Sequence, residues 1–268
     1  MKILILGDVC GPSGIAAIKD RLRRIIKDKK IDFTIANGEN AAENGKGITQ
    51  KNFKDLLNSG VDVVTSGNHI WDQKEIIEVI SKDKRLLRPS NLLEGQPGNG
   101  YGIFQIKDKK IAVINLIGNV FMKKSEDVFF SAEKILNKIK LKKDADYIIV
   151  DMHAEITSEK QALGHFLDGK VTTLIGTHTH VPTSDTKILK KGTAYQSDLG
   201  MCGDYDSVIG MNKENSIKKF FKDDTAKQHF PSNGDATLCG VIVDADDNTG
   251  LANNIDQIIS GRILKEKI

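Results

Sequence analysis

The amino-acid sequence predicts an α/β fold with a mixed sheet, on three observations. Short β-rich runs alternate with helix-period runs, later strand pairs stand at hairpin spacing, and the polar residues able to do chemistry collect just after the strands. Alternation of this kind marks βαβ units, and hairpins add antiparallel neighbours. Hydrophobic residues make up 39% and charged residues 28% of the 268 positions. That is enough for a core and excludes a disordered or collagen-like chain. The expected organisation is a single domain over 1–268, with a small helical insertion or lid at 200–235.

Each element has a local reason. Lys2 to Gly7 is an Ile/Leu run closed by Gly7-Asp8, and reads as a strand. Ile15, Ile18, Leu22, Ile25 and Ile26 then recur at helical spacing, with Arg21, Arg23 and Arg24 facing away. Asp32–Asn37 is a strand, Thr49–Asn58 a helix, Val61–Ser66 a strand and Asp72–Ser81 a helix. Tyr101–Lys107 and Lys110–Leu116 flank Asp108-Lys109, the spacing of a hairpin. Helix Ala132–Lys140, strand Tyr147–Asp151, helix Ser158–Leu167 and strand Thr172–Gly176 continue the rhythm. Ala236–Asp244 and Gly250–Ile255 enclose the turn-rich Asp246-Asp247-Asn248-Thr249. Residues 200–235 are polar and weakly periodic, with a helical stretch around Met211–Phe221.

Composition narrows the function classes. The net charge is +3, from 39 basic and 36 acidic residues, too balanced for stable nucleic-acid binding. The clusters Lys27–Lys30, Lys138–Lys143 and Lys187–Lys191 read as solvated faces. No apolar stretch approaches the roughly 20 residues of a membrane span, and Met1-Lys2 opens no signal segment. Cys10, Cys202 and Cys239 are odd in number and scattered, so neither a disulfide framework nor a CxxC metal motif follows. A reducing, cytoplasmic compartment without a membrane partner is expected, and a homo-oligomer stays open.

The informative residues sit at strand ends. Asp8 follows the first strand, Glu39 and Asn40 the second, and Asn68 and His69 the third. His153 follows Ile149-Val150-Asp151-Met152, and His178 and His180 follow Leu174-Ile175-Gly176-Thr177. Ligand sites of open α/β sheets lie along this carboxyl edge. Gly7, Gly38, Gly67 and Gly176 stand just before these groups, as close backbone approach to a centre requires. Carboxylates, carboxamides and imidazoles together suit borderline divalent transition metals. Leaving His69 aside, two carboxylates, two carboxamides and three imidazoles make seven donors, which exceed one tetrahedral site and match a two-metal centre about 3.5–4 Å across.

These blocks resemble the calcineurin-like metallophosphoesterases. More narrowly, Gly38-Glu39-Asn40-Ala41, Gly67-Asn68-His69-Ile70-Trp71-Asp72, Arg88-Pro89-Ser90-Asn91 and Gly176-Thr177-His178-Thr179-His180-Val181 resemble the bacterial YmdB-like 2′,3′-cyclic-nucleotide phosphodiesterases. Asp198-Leu199-Gly200-Met201-Cys202-Gly203 and Tyr205-Asp206-Ser207-Val208-Ile209-Gly210 extend the likeness, which runs in order from residue 3 to about 245. Asp8-Val9-Cys10 lacks the His that the superfamily usually carries there, and Glu39 replaces its usual bridging Asp. Both departures are similar to the YmdB-like subgroup. The resemblance implies a mixed-sheet metallophosphoesterase sandwich with helices outside. It implies two divalent or mixed-valence transition-metal ions, Fe or Mn. Asp8, Glu39, Asn40 and His180 would hold the first, and Glu39, Asn68, His153 and His178 the second. His69 would be the general acid or transition-state stabiliser. A metal-bridging hydroxide would open a small-molecule 2′,3′-cyclic nucleotide to the 3′-nucleotide.

Other readings stand beside this one. The same centre would serve a phosphomonoesterase, a nuclease, a metal-dependent amidase or a slow-turnover cyclic-nucleotide sensor. Asp8 alone would make a helix N-cap, and Cys10 reads as a small packing residue. Asp72 either supports an imidazole or starts a helix; Arg88 and Asn91 either line a cleft or stiffen a loop. His165 and His229 are expected to have no catalytic role. Gly11-Pro12-Ser13-Gly14 lacks the Lys-Ser/Thr ending of a P-loop. Residues contacting substrate beyond the centre are not legible.

Overall fold

A computed structural model describes residues 1–267. The first half runs β1 (Lys2–Cys10), α1 (Gly11–Lys29), β2 (Phe33–Asn40), α2 (Gln50–Ser59), β3 (Val63–Thr65) and α3 (Ile76–Lys82). The hairpin β4 (Tyr101–Ile106) and β5 (Lys109–Ile117) leads to α4 (Val128–Leu136), β6 (Tyr147–His153), α5 (Thr157–Leu167) and β7 (Thr173–Thr177). Then come β8 (Lys187–Ile188), β9 (Ala194–Gln196), β10 (Met201–Asp204), α6 (Lys213–Phe220), β11 (Ala236–Ala245) and β12 (Ala252–Ser260).

Among the described residues the strands form two six-stranded mixed sheets, ordered β12-β11-β10-β1-β2-β3 and β4-β5-β6-β7-β9-β8. Alternation along each strand decides which way its side chains go. In β1, Leu4 and Leu6 pack under α1 and α2, while Ile3 and Ile5 face the second sheet. In β5, Ala112, Ile114 and Leu116 pack with α4 and α5, while Ile111 and Val113 meet Ile3 and Ile5 between the sheets. The result is a helix–sheet–sheet–helix sandwich with three apolar layers. Strands buried on both faces read as near-continuous apolar runs, as Ile3–Leu6 within β1 and Tyr147–Val150 within β6 do.

Several boundaries differ from the sequence reading for local reasons. Helix α2 starts behind Thr49, whose hydroxyl accepts from Asn52 N in a reciprocal capping box. Helix α4 begins early because Asp127 accepts from Phe130 N. Helix α3 starts at Ile76 rather than Asp72, whose carboxylate is engaged elsewhere. Residues 200–235 are not uniformly helical: Met201–Asp204 is the buried strand β10, wedged between β1 and β11. Strands of two to four residues are too short to show a period, so β8, β9 and β10 left no pattern to read.

Candidate metal centre and its cleft

The sheets bring their carboxyl ends to one edge. Asp8 of β1 pairs with Asn37 of β2, with a register shift on either side of it. Such bulges re-aim a side chain. His153, the last residue of β6, lies opposite Thr177 of β7. The connection after β7 places both His178 (φ 102) and His180 (φ 66) in the left-handed region. Non-glycine residues persist there when the surroundings over-determine them, and they concentrate at functional sites.

The expected donors meet. His153 Nε2 lies 3.0 Å from His178 Nδ1 and 3.1 Å from Asn68 Oδ1. The same ring is 3.6 Å from Asp8 Oδ1 and 3.6 Å from Glu39 Oε1. His180 Nε2 is 3.1 Å from Asn40 Oδ1. Asp8 Oδ2 accepts from His178 N at 3.0 Å, and Glu39 Oε1 from His69 N at 2.6 Å. Gly67 explains part of this closeness: a Cβ there would stand 2.2 Å from His153 Cδ2.

Electrostatics makes the cluster unusual. Asp8 and Glu39 are buried, and burial pushes both carboxyls well above their ordinary range, with Asp198 adding to the effect on Asp8. Asp8 Oδ1 and Glu39 Oε2 have no hydrogen-bond partner among the described residues. A buried carboxylate without a counter-charge costs several kcal/mol, a deficit that a cation removes. Burial likewise lowers His153, His178 and His180, which favours the neutral imidazole with a lone pair to donate. No three His, Cys, Asp or Glu side chains among the described residues already form a ligand shell; the candidate donors instead crowd one another at 3.0–3.1 Å. Orphaned carboxylate oxygens, neutral imidazoles and two carboxamides nevertheless fit divalent transition-metal ions.

A buried layer behind the donors orients them. Thr177 Oγ1 donates to Asp151 Oδ1 at 2.8 Å and lies 3.0 Å from His153 Nδ1. The hydroxyl proton being committed to Asp151, His153 donates from Nδ1 and keeps Nε2 bare, as a metal ligand requires. Asp151 also accepts from Asn37 Nδ2 and Thr65 Oγ1, and burial raises it to about 6. Asp198 accepts from Lys160 Nζ at 2.8 Å and from Thr179 N at 3.0 Å, fixing the loop between the two left-handed histidines.

The sequence missed this layer, although two signals were present. Asp151 interrupts an apolar strand, and Lys160 shares a helix face with Leu163 and Leu167. His178 Nε2 also meets Glu155 Oε2 at 3.0 Å, another unforeseen contact.

His69 and the remaining candidates resolve as follows. His69 Nδ1 lies 2.7 Å from Asp72 Oδ2, so Asp72 supports an imidazole rather than opening α3. Arg88 donates to the carbonyls of Pro97 and Pro89, and Asn91 clasps Ile117 and Glu126, so both stiffen loops. Cys10 is buried, and burial together with Asp8 pushes its thiol up to about 12, in keeping with a packing role. His165 is exposed on α5. His229, in contrast, lines a cleft of about 420 Å³ together with Glu39, Asn40, His69, His178 and His180. Burial, Lys219 and Lys46 hold His229 below its ordinary value.

With this geometry in hand, the chain can be set against known proteins. Residues 4–258 match the family described as YmdB-like protein. The chain belongs to that family. A Bacillus subtilis protein named 2′,3′-cyclic-nucleotide 2′-phosphodiesterase is 44% identical over 259 residues, covering 97% of each chain. The crystal structure of a Mycoplasma pneumoniae phosphatase superposes with a TM-score of 0.90 at 38% identity, covering 97% of this YmdB-like chain and 93% of the other. Haemophilus influenzae NAD nucleotidase shares the fold alone, with a TM-score of 0.55 at 13% identity over 97% of this chain and 56% of that one. The YmdB-like chain thus carries the metallophosphoesterase sandwich that its motifs resemble.

Proposed function

We propose that the protein is a dinuclear metal-dependent phosphodiesterase that opens 2′,3′-cyclic nucleotides to 3′-nucleotides. At the level of reaction class it is a phosphoric diester hydrolase, in line with its Bacillus subtilis relative. The observation that carries the metal assignment is the pair of orphaned, buried carboxylate oxygens, Asp8 Oδ1 and Glu39 Oε2, facing neutral imidazoles. Asp8, Glu39, Asn40 and His180 would hold one ion, and Glu39, Asn68, His153 and His178 the other. When bound, Fe or Mn ions supply an acidified water and positive charge for the phosphoryl oxygens.

The chain's own residues do the rest. Glu39, from β2, would be shared by the two ions, and Thr177 with Asp151 holds the His153 ring in its ligating tautomer. Asp72 fixes His69 through Nδ1, which leaves Nε2 for the cleft. There His69 would deliver a proton to the departing 2′ oxygen, which as an alkoxide needs one. Lys46 and Lys219 line the same cleft and favour an anionic substrate.

The segment after β10, with α6 at its centre, acts as the lid of a single-domain enzyme. No helix among the described residues is long and apolar enough to cross a membrane, and three free, buried cysteines suit a reducing cytoplasm. The test is turnover of 2′,3′-cyclic AMP with chromatographic identification of the product. The 3′-phosphate is expected. Mainly 2′-phosphate would overturn the substrate's orientation, and hydrolysis of monoesters or linear diesters alone would overturn the substrate class.

A further inference from the structure

The cleft has two chemically different walls. Glu39, Asn40, His69, His178 and His180 form one, and Val208, Ile209, Met211 and Phe220 form another. Its volume of about 420 Å³ lies in the roughly 300–1,000 Å³ range of small-molecule sites, far more than a phosphate group fills.

Two residues of the apolar lining are exposed rather than packed into the core. Phe220, the last residue of α6, is 83% exposed. Ile209 is 54% exposed and has φ 47, a left-handed conformation that β-branched residues rarely adopt. Its carbonyl accepts from His180 Nδ1 at 2.8 Å, which ties the wall directly to a candidate metal donor. Glycine would make that turn without strain, yet the chain places a branched apolar side chain there, on the cleft. Strain of this kind survives where the side chain has a use.

The wall is also built to hold its shape. Asn212 caps α6 by accepting from Asn215 N at 2.9 Å. Asn215 then clasps the returning strand of chain, donating to the Lys227 carbonyl and accepting from Lys227 N at 2.7 Å. Helix and return loop therefore move as one unit, presenting Phe220 and His229 to the same cleft.

The geometry points to a nucleobase subsite on this wall, with Phe220 and Ile209 lying against the base of a substrate whose phosphate sits at the metal donors. The subsite rests on the cyclic-nucleotide reading above and adds the residues that recognise the nucleoside. Stacking on an aromatic ring is tolerant of base identity, because every base has a π face. The wall therefore selects for the presence of a base rather than for one base over another.

Steady-state kinetics with 2′,3′-cyclic AMP and with ribose 2′,3′-cyclic phosphate, which lacks a base, tests this. The wild-type enzyme is expected to favour cyclic AMP in kcat/KM. Phe220→Ala should reduce that preference roughly 5–150-fold, and truncating so exposed a side chain leaves the fold intact. Phe221→Ala, equally exposed at 82% but off the cleft, should keep the wild-type ratio. An unchanged ratio in Phe220→Ala, or an equal drop in Phe221→Ala, overturns the subsite. Wild-type enzyme that uses both substrates equally well removes the subsite and leaves the phosphodiesterase standing. Hydrolysis of neither removes the phosphodiesterase, and the subsite with it.

Discussion

Replacing Lys160 by Met would expose how much the buried ion pair beneath the histidine loop contributes. Lys160 and Asp198 are each 1% exposed, with Nζ 2.8 Å from Oδ2. Removing one partner leaves an uncompensated buried charge, which costs about 3–5 kcal/mol. A chain of 268 residues has an unfolding entropy of about 0.56 kcal/mol/K at its midpoint, from ~2.1 cal/mol/K per residue. Lys160→Met should therefore lower Tm by about 5–9 °C. The assay is thermal unfolding of chelator-treated protein followed by circular dichroism, so that metal binding adds nothing to the midpoint. Lys160→Met combined with Asp198→Asn removes both charges and should recover most of the loss, because a neutralised pair no longer pays for desolvation. Asp198 also accepts from Thr179 N and Gly200 N, so a residual deficit in the double variant is expected. A single variant within about 1 °C of wild type, or a double variant no better than the single, would refute the reasoning.

Three other outcomes follow from the site. Gly67→Ala puts a Cβ 2.3 Å from His153 Nε2, on a ring with no room to retreat; it should cost about 1–3 kcal/mol and deplete bound metal, and normal melting with normal metal content would contradict it. His69→Ala should slow 2′,3′-cyclic nucleotide hydrolysis about 10²–10⁴-fold while slowing a nitrophenyl phosphodiester clearly less and leaving metal intact. Equal losses on both substrates would assign His69 to the phosphoryl oxygens instead. Cys10→Ser should keep most metal and most turnover, and a drop on the order of 10³-fold would show the thiol to be part of the chemistry.

What was legible in the sequence follows from what repeats or stands out against its surroundings. The apolar runs Ile3–Leu6 and Tyr147–Val150 and the spacing of Ile15, Ile18 and Leu22 announced their elements, because burial imposes a period. The donors were legible because Asp8, Glu39, Asn68 and His153 each stand at the carboxyl end of an apolar run, where a polar side chain has few structural uses. The layer behind them was not. Thr177, Asn37 and Thr65 are ordinary strand residues until the sheets stack, and only then do they converge on Asp151. The same holds for β10, whose place beside β1 depends on a partner nearly 200 residues away in sequence. His229 was set aside for lying in a polar, aperiodic stretch, yet Asn215 folds that stretch back onto the cleft. Long-range closure of this kind leaves no local mark.

If two ions at the Asp8–Glu39 cluster drive phosphodiester hydrolysis, turnover must follow metal content. Chelator-stripped protein titrated with Mn²⁺, with bound metal and 2′,3′-cyclic AMP turnover measured on the same samples, tests it most directly. Turnover should be negligible without metal and full as the content approaches two ions per chain. Full turnover at no more than one bound ion, or undiminished turnover in the stripped protein, would contradict it.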